Sequence, residues 1–144
     1  MKATEHDVIS GGINLHYIDW QGSGIPIICV HGLTANCRYF DHLGEVLSPS
    51  YRVIAYDLKG RGNSGKPAGG YNLIQHTSDL ENLLAVLSIN KAVLLGHSLG
   101  AAIVTFFAAH FPDKVERLIL IDGGGGGPLT MRALQNPFNR LLTG

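Results

Sequence analysis

The chain is short of charge. Of 144 residues, 11 are Lys or Arg and 11 are Asp or Glu, so the charged fraction is 15% and the formal net charge is zero. Soluble domains ordinarily carry about 25% charged residues. No basic stripe exists to attract a phosphate backbone and no run of like charge to favour an anionic surface, which argues against nucleic acid and against a membrane as partner. Long apolar runs are missing too. No stretch approaches the roughly 20 residues of a membrane-spanning helix, and residues 1–7 have no signal-type apolar core. Cysteine is scarce: Cys29 and Cys37 belong to no C-x-x-C or zinc pattern and read as reduced thiols of a cytoplasmic protein. No metal or cofactor is expected. One further absence bears on mechanism: no histidine follows His110.

What is present is apolar and orderly. Hydrophobic residues make up 45% of the chain, enough for a core in a single domain of this length. Residues 8–10 and 13–19 flank Gly11-Gly12, a two-residue hairpin signal. Residues 25–30 (IPIICV) form a continuous apolar run, as in a strand buried on both faces. Phe40, Leu43, Val46 and Leu47 have helical spacing, closed by Pro49. Residues 51–56 (YRVIAY) predict a strand, residues 57–70 a glycine-rich loop, and Leu73, Ile74, Leu80, Leu83, Leu84 and Leu87 an amphipathic helix. Residues 91–95 (KAVLL) predict a strand, residues 101–110 a buried helix, and residues 117–121 (RLILI) a sixth strand. Strands alternating with helices imply a three-layer α/β sandwich with a mostly parallel sheet. The core is expected over residues 1–122. Residues 123–144, with five glycines at 123–127 and then Leu134, Phe138, Leu141 and Leu142 around Pro137, read as a loop leading into a helical segment.

The chemistry-bearing motif is Gly96-His97-Ser98-Leu99-Gly100, a G-x-S-x-G between a predicted strand and a predicted helix. A serine on such a bend projects its hydroxyl outward and sits at a helix N-terminus, where free N–H groups stabilise negative charge. Gly96 and Gly100 admit backbone that a Cβ would obstruct. His31, Asp57, Gly96 and Asp122 all fall just past strand ends, the edge where open α/β sheets bind ligands.

Three separated motifs then agree: His31-Gly32-Leu33, the D-x-x-G-x-G-x-S of residues 57–64, and the turn around Ser98. Together they resemble the α/β-hydrolase fold family, in its epoxide-hydrolase, haloperoxidase and ester-hydrolase branch. The resemblance implies Ser98 as nucleophile, the backbone N–H groups of Leu33 and Leu99 as oxyanion hole, His31 and Gly32 as shapers of that loop, and Asp57, Gly60, Gly62 and Ser64 as structural. Serine rather than aspartate on the turn points away from epoxide hydrolase and dehalogenase chemistry and toward a carboxylic ester or related carbonyl substrate. Family members are about twice as long, with a triad in the order Ser, Asp or Glu, His. Asp122 is a possible acid. No histidine follows in the right place, because His110 lies about 18 Å along the helix from Ser98 at 1.5 Å per residue. His31 is the nearest substitute base; His6, His16, His42, His76 and His97 read as surface or packing residues, Lys59 and Arg61 as solvated charges or loop ion pairs. The chain is therefore expected to be truncated after about the sixth strand. Its open sheet edge would pair with a second copy or with a complementing C-terminal chain. The alternative function is a catalytically inactive binding module, or a fragment of a longer hydrolase.

Overall fold

In a computed structural model, residues 2–123 are described; the expected helical segment around Leu134 and Phe138, and glycines 124–127, lie outside them. Six strands and three α-helices alternate: β1 (Thr4–Ser10), β2 (Ile13–Asp19), β3 (Ile27–Val30), α1 (Asp41–Leu47), β4 (Val53–Tyr56), α2 (Leu73–Val86), β5 (Ala92–His97), α3 (Leu99–His110) and β6 (Val115–Ile121). Short 3₁₀ turns at Cys37–Phe40 and Pro112–Lys114 lead into α1 and β6. The sheet order is β1-β2-β4-β3-β5-β6. β1 and β2 form an antiparallel hairpin, β2 lies antiparallel to β4, and β4, β3, β5 and β6 are parallel. At the hairpin, Gly11 and Gly12 both have positive φ (59° and 81°), the backbone that a two-residue turn with the right twist demands.

The alternation of side chains across β3 and β4 explains the layers. Ile28, Val30, Ile54 and Tyr56 face one side with Leu80, Leu83 and Leu84 of α2 and Ile103, Val104 and Phe107 of α3. Ile27, Cys29, Val53 and Ala55 face the other, with Ile18, Trp20 and Phe40. A strand whose two faces both meet helices has no polar side, so IPIICV reads as an unbroken apolar run. On the second face Gly44 lets α1 lie flat on Trp20: a Cβ there would come 2.2 Å from the indole. α2 starts at a capping box, in which the Asn72 side chain accepts the Gln75 N–H and Gln75 accepts the Asn72 N–H.

Strand ends depart from the sequence reading where exposure hides the pattern. β1 begins at Thr4, not residue 8, because this outer strand is largely solvated and shows no alternation. Ile25 and Tyr51, 47% and 48% exposed, precede β3 and β4 rather than belonging to them. β6 starts at Val115, reached through a register shift opposite Ala92 and Val93. Among the described residues no strand pairs with the outer side of β6, and Leu118, Ile119, Leu120 and Ile121 are 37–41% exposed on both faces.

The register brings the strand ends level. Val30 lies opposite both Tyr56 and Gly96, and His97 opposite Ile121, so His31, Asp57, Ser98 and Asp122 emerge along one edge.

Candidate active site

β5 ends at His97 and α3 begins at Leu99, so Ser98 alone makes the bend. Its backbone is at φ 54°, ψ −115°, and the residue is exposed. A non-glycine residue held there costs about 1–3 kcal/mol, strain that a surrounding structure has to impose. Two glycines allow it. A Cβ on Gly96 would lie 2.4 Å from the Gly100 carbonyl oxygen, and one on Gly100 would lie 1.9 Å from the Val30 oxygen. Hydrogen bonds hold the bend from both sides: Ser98 N–H donates to the Ile121 carbonyl (3.2 Å) and Ser98 O accepts Ala101 N–H (3.0 Å). The Ser98 hydroxyl has no hydrogen-bond partner among the described residues and caps nothing.

The segments next to Ser98 carry two backbone N–H groups without an acceptor among the described residues, those of Leu99 and Leu33. Leu99 opens α3, whose first N–H groups have no intrahelical acceptor. Leu33 follows Gly32, which packs so closely that a Cβ on it would meet His97 Nδ1 at 3.1 Å and Ser98 Cβ at 3.2 Å. Neither Leu33 N–H nor Leu99 N–H donates to another described residue.

None of the described histidines hydrogen-bonds the Ser98 hydroxyl. His31 is fully buried; its Nε2 accepts Leu58 N–H (3.0 Å), so its proton sits on Nδ1 and is donated to the Gly32 carbonyl (2.7 Å). Burial holds its pKa below the ordinary histidine value. With both nitrogens committed, His31 is no substitute base. His97 stacks on Tyr39 with ring centroids 4.6 Å apart. His110 bonds the Phe106 carbonyl and stacks on the Phe106 ring at the far end of α3. His6 stacks on Tyr17, His16 is buried beside Glu5 and Asp7, His42 is exposed, and His76 is buried with its pKa pushed down to about 3, first by burial. Asp122 follows β6 at φ 48°, exposed, and the next residue, Gly123, backs onto Ser98: a Cβ there would be 3.1 Å from Ser98 Cα.

The loop after β4 supports the site from below. Asp57 is 1% exposed; its carboxylate accepts Cys37 N–H (2.7 Å) and Asn63 N–H (2.8 Å). Gly62 is required there, because a Cβ would strike that carboxylate at 2.1 Å. The Ser64 hydroxyl donates to the Asp57 carbonyl (2.6 Å) and accepts His16 N–H (3.0 Å). His16, Cys37 and Asp57 bring metal-type donor atoms within 4.8 Å of one another. The Asp57 oxygens are already spent on backbone N–H groups, and burial, reinforced by that carboxylate, keeps the Cys37 thiol protonated. The trio reads as an anchor. Cys29, buried and free, has its pKa pushed up to about 12 by burial.

Lys59 and Arg61, expected as solvated charges or loop ion pairs, are both tied to other segments. Lys59 is 4% exposed and pairs with Asp79 at 3.2 Å. Arg61 is half-buried and donates to the Leu33 carbonyl (3.0 Å). The signal for the first was available: Asp79 stands three residues after His76 and four before Leu83, on the stripe of α2 that faces inward.

A mostly parallel sheet between helices, with a strained serine at a strand-to-helix bend, defines a hydrolase-type α/β protein. The sequence model of the alpha/beta hydrolase fold family matches residues 25–140, and the chain belongs to that family. It is 32% identical to a soluble epoxide hydrolase of Corynebacterium sp. over 121 residues, 84% of this chain and 42% of that protein. It is 38% identical to a 2-(acetamidomethylene)succinate hydrolase of Mesorhizobium japonicum over 102 residues, 71% of this chain and 37% of the relative. Among solved structures, the epoxide hydrolase CorEH superposes with a TM-score of 0.79 at 28% identity, covering 92% of this chain and 49% of that one. The chain thus spans less than half the length of each of these proteins. No described helix is long and apolar enough to cross a membrane.

Proposed function

We propose that this chain is the nucleophile-bearing part of a serine hydrolase that cleaves a carboxylic ester or related carbonyl compound. The observation that carries the reading is Ser98, exposed at φ 54° on the bend, with Gly32 packed against it and the N–H groups of Leu33 and Leu99 without an acceptor among the described residues. Ser98 Oγ attacks the carbonyl carbon as its proton passes to a histidine, and the oxyanion of the tetrahedral intermediate is held by Leu33 and Leu99. The intermediate collapses when the alcohol leaves with that proton, giving an acyl-serine that water hydrolyses. Each oxyanion donor is worth roughly 10²–10³ in rate. The base on this reading comes from polypeptide outside residues 2–123, laid against the open side of β6, with Asp122 placed to orient it. The cycle calls for no cofactor, and its setting is a reducing cytoplasm that keeps Cys29 and Cys37 as thiols. Several relatives are named epoxide hydrolases; an alkyl-enzyme needs a carboxylate at the bend, and here the residue is serine.

A second reading is favoured by one observation: the Ser98 hydroxyl has no base beside it among the described residues. The chain would then be an inactive binding module that keeps the scaffold. A fluorophosphonate probe separates the two. Modification of Ser98, found by peptide mass spectrometry and absent from Ser98→Ala, supports the hydrolase. With the histidine-bearing polypeptide present, a folded sample left unlabelled at Ser98, with no hydrolysis of small esters, supports the module.

A further inference from the structure

We propose that Arg61 is a positioning residue for the oxyanion hole. Its guanidinium holds the Leu33 carbonyl and thereby fixes the direction of the Leu33 N–H. The inference rests on the reading of Leu33 as an oxyanion donor. Arg61 Nε donates to Leu33 O (3.0 Å) and Nη1 to Lys59 O (3.3 Å), so the guanidinium ties the loop after β3 to the loop after β4. The guanidinium also lies 6.0 Å from the centre of the Tyr71 ring, and Tyr71 is itself pinned by its hydroxyl to the Pro67 carbonyl (2.5 Å). The base of Arg61 is fixed too, through its N–H to the Leu58 carbonyl (2.9 Å).

The opposite side of Leu33 is tethered to the same loop. Gly32 O, the carbonyl of the peptide that carries Leu33 N–H, accepts from His31 Nδ1 (2.7 Å) and from Ala35 N–H (3.2 Å). His31 Nε2 in turn accepts Leu58 N–H (3.0 Å). Both carbonyls that bracket Leu33 N–H are therefore governed from residues 58–61. Of the two tethers, His31 acts on the peptide group itself. Arg61 closes the far side, where among the described residues no other hydrogen bond reaches Leu33 O. A loop held at one carbonyl can rotate about Leu33; held at both, its N–H keeps one direction. Donor direction matters because preorganised N–H groups stabilise an oxyanion without reorganising as charge develops.

The test compares wild type, Arg61→Met and Arg61→Lys in fluorophosphonate labelling of Ser98 across probe concentrations, with amide hydrogen exchange of residues 32–35 alongside. Arg61→Met keeps an apolar stem over Tyr71 and removes every donor; Arg61→Lys restores one. The expected result is a limiting labelling rate lowered about 10- to 100-fold in Arg61→Met, with the half-saturating concentration little changed, partial recovery in Arg61→Lys, and faster exchange confined to residues 32–35. A labelled wild type matched in limiting rate by Arg61→Met overturns the role of Arg61 and leaves the hydrolase reading standing. With the histidine-bearing polypeptide present, a folded wild type that stays unlabelled overturns both. Should Arg61→Met unfold, Arg61→Lys decides: a limiting rate between wild type and about one-hundredth of it, with faster exchange at 32–35, supports the proposal, and a limiting rate equal to wild type, whatever the exchange, overturns it.

Discussion

Ser98→Gly should make this protein more stable. Ser98 holds φ 54°, ψ −115°, a backbone that a Cβ disfavours, and its hydroxyl has no hydrogen bond to lose among the described residues. Releasing the Cβ recovers about 1–3 kcal/mol of strain. Glycine gives back about 0.5–1 kcal/mol through the added freedom of the unfolded chain. The net expectation is a gain of about 1 kcal/mol, or a rise of roughly 3–5 °C in Tm for a domain of this size. Ser98→Ala is the control. It removes the hydroxyl and keeps the Cβ, hence the strain, so its stability should stay within about 0.5 kcal/mol of wild type, as for an exposed side chain without partners. Urea unfolding at constant m-value measures both. Neither variant would take up a fluorophosphonate at position 98. If Ser98→Gly proves no more stable than Ser98→Ala, the bend is not strained, and the claim that the fold imposes this geometry on the serine fails.

Gly100→Ala places a Cβ 1.9 Å from the Val30 oxygen and 2.7 Å from the His31 oxygen, both rigid backbone, so a loss of about 3 kcal/mol or more is expected in the same urea assay. Gly69→Ala, with nothing within 4 Å of the new atom and no positive φ, should be neutral or gain up to about 1 kcal/mol; equal losses in the two would refute the steric reading. Acid should weaken the fold well before ordinary carboxylates titrate. His31 and His76 have folded pKa values held below the unfolded value of 6.5, His76 at about 3, so below pH 6.5 the unfolded chain binds protons that the folded one refuses. Stability then falls with falling pH by up to about 1.4 kcal/mol per unit per histidine. Asp79, whose pKa burial raises, opposes part of this above its ordinary 3.8. Urea midpoints at pH 7, 6 and 5 that do not decline would contradict the burial of both imidazoles.

Local pattern was enough for the elements that face helices on both sides. Ile27 to Val30 are all buried, as in a central strand covered on both faces, and its β-branched residues and short length set it apart from the equally buried run of α3. The same holds for the bend: strand, serine and helix are contiguous in sequence, so one short window contains the whole device. Strand order is different. That β4 lies between β2 and β3 depends on a crossover that no window spans, and the hairpin signal at Gly11-Gly12 says nothing about which parallel strand β2 joins. β1 was legible only in part because its residues are mostly solvated, which removes the alternation that betrays a half-buried strand.

The candidate site shows the same division at finer grain. Gly96 and Gly100 announce that something comes close, but their partners are Gly100 itself in one case and Val30 and His31, some 70 residues earlier, in the other. That second contact does the positioning. It sets α3 on the end of β3, and the chain leaving β3 then has to carry Gly32 and Leu33 past Ser98. Lys59 and Arg61 left two readings open, solvated charge or loop ion pair, for a related reason. In sequence they stand among glycines and polar residues, where charge is normally solvated, while Asp79 and the Leu33 carbonyl that capture them come from other segments. A buried cation is legible only through its partner, and a partner's carbonyl has no signature in the sequence at all. The residues that act through side chains could be named from the motif; those that act by holding a backbone group in place become visible only once the strands are set side by side.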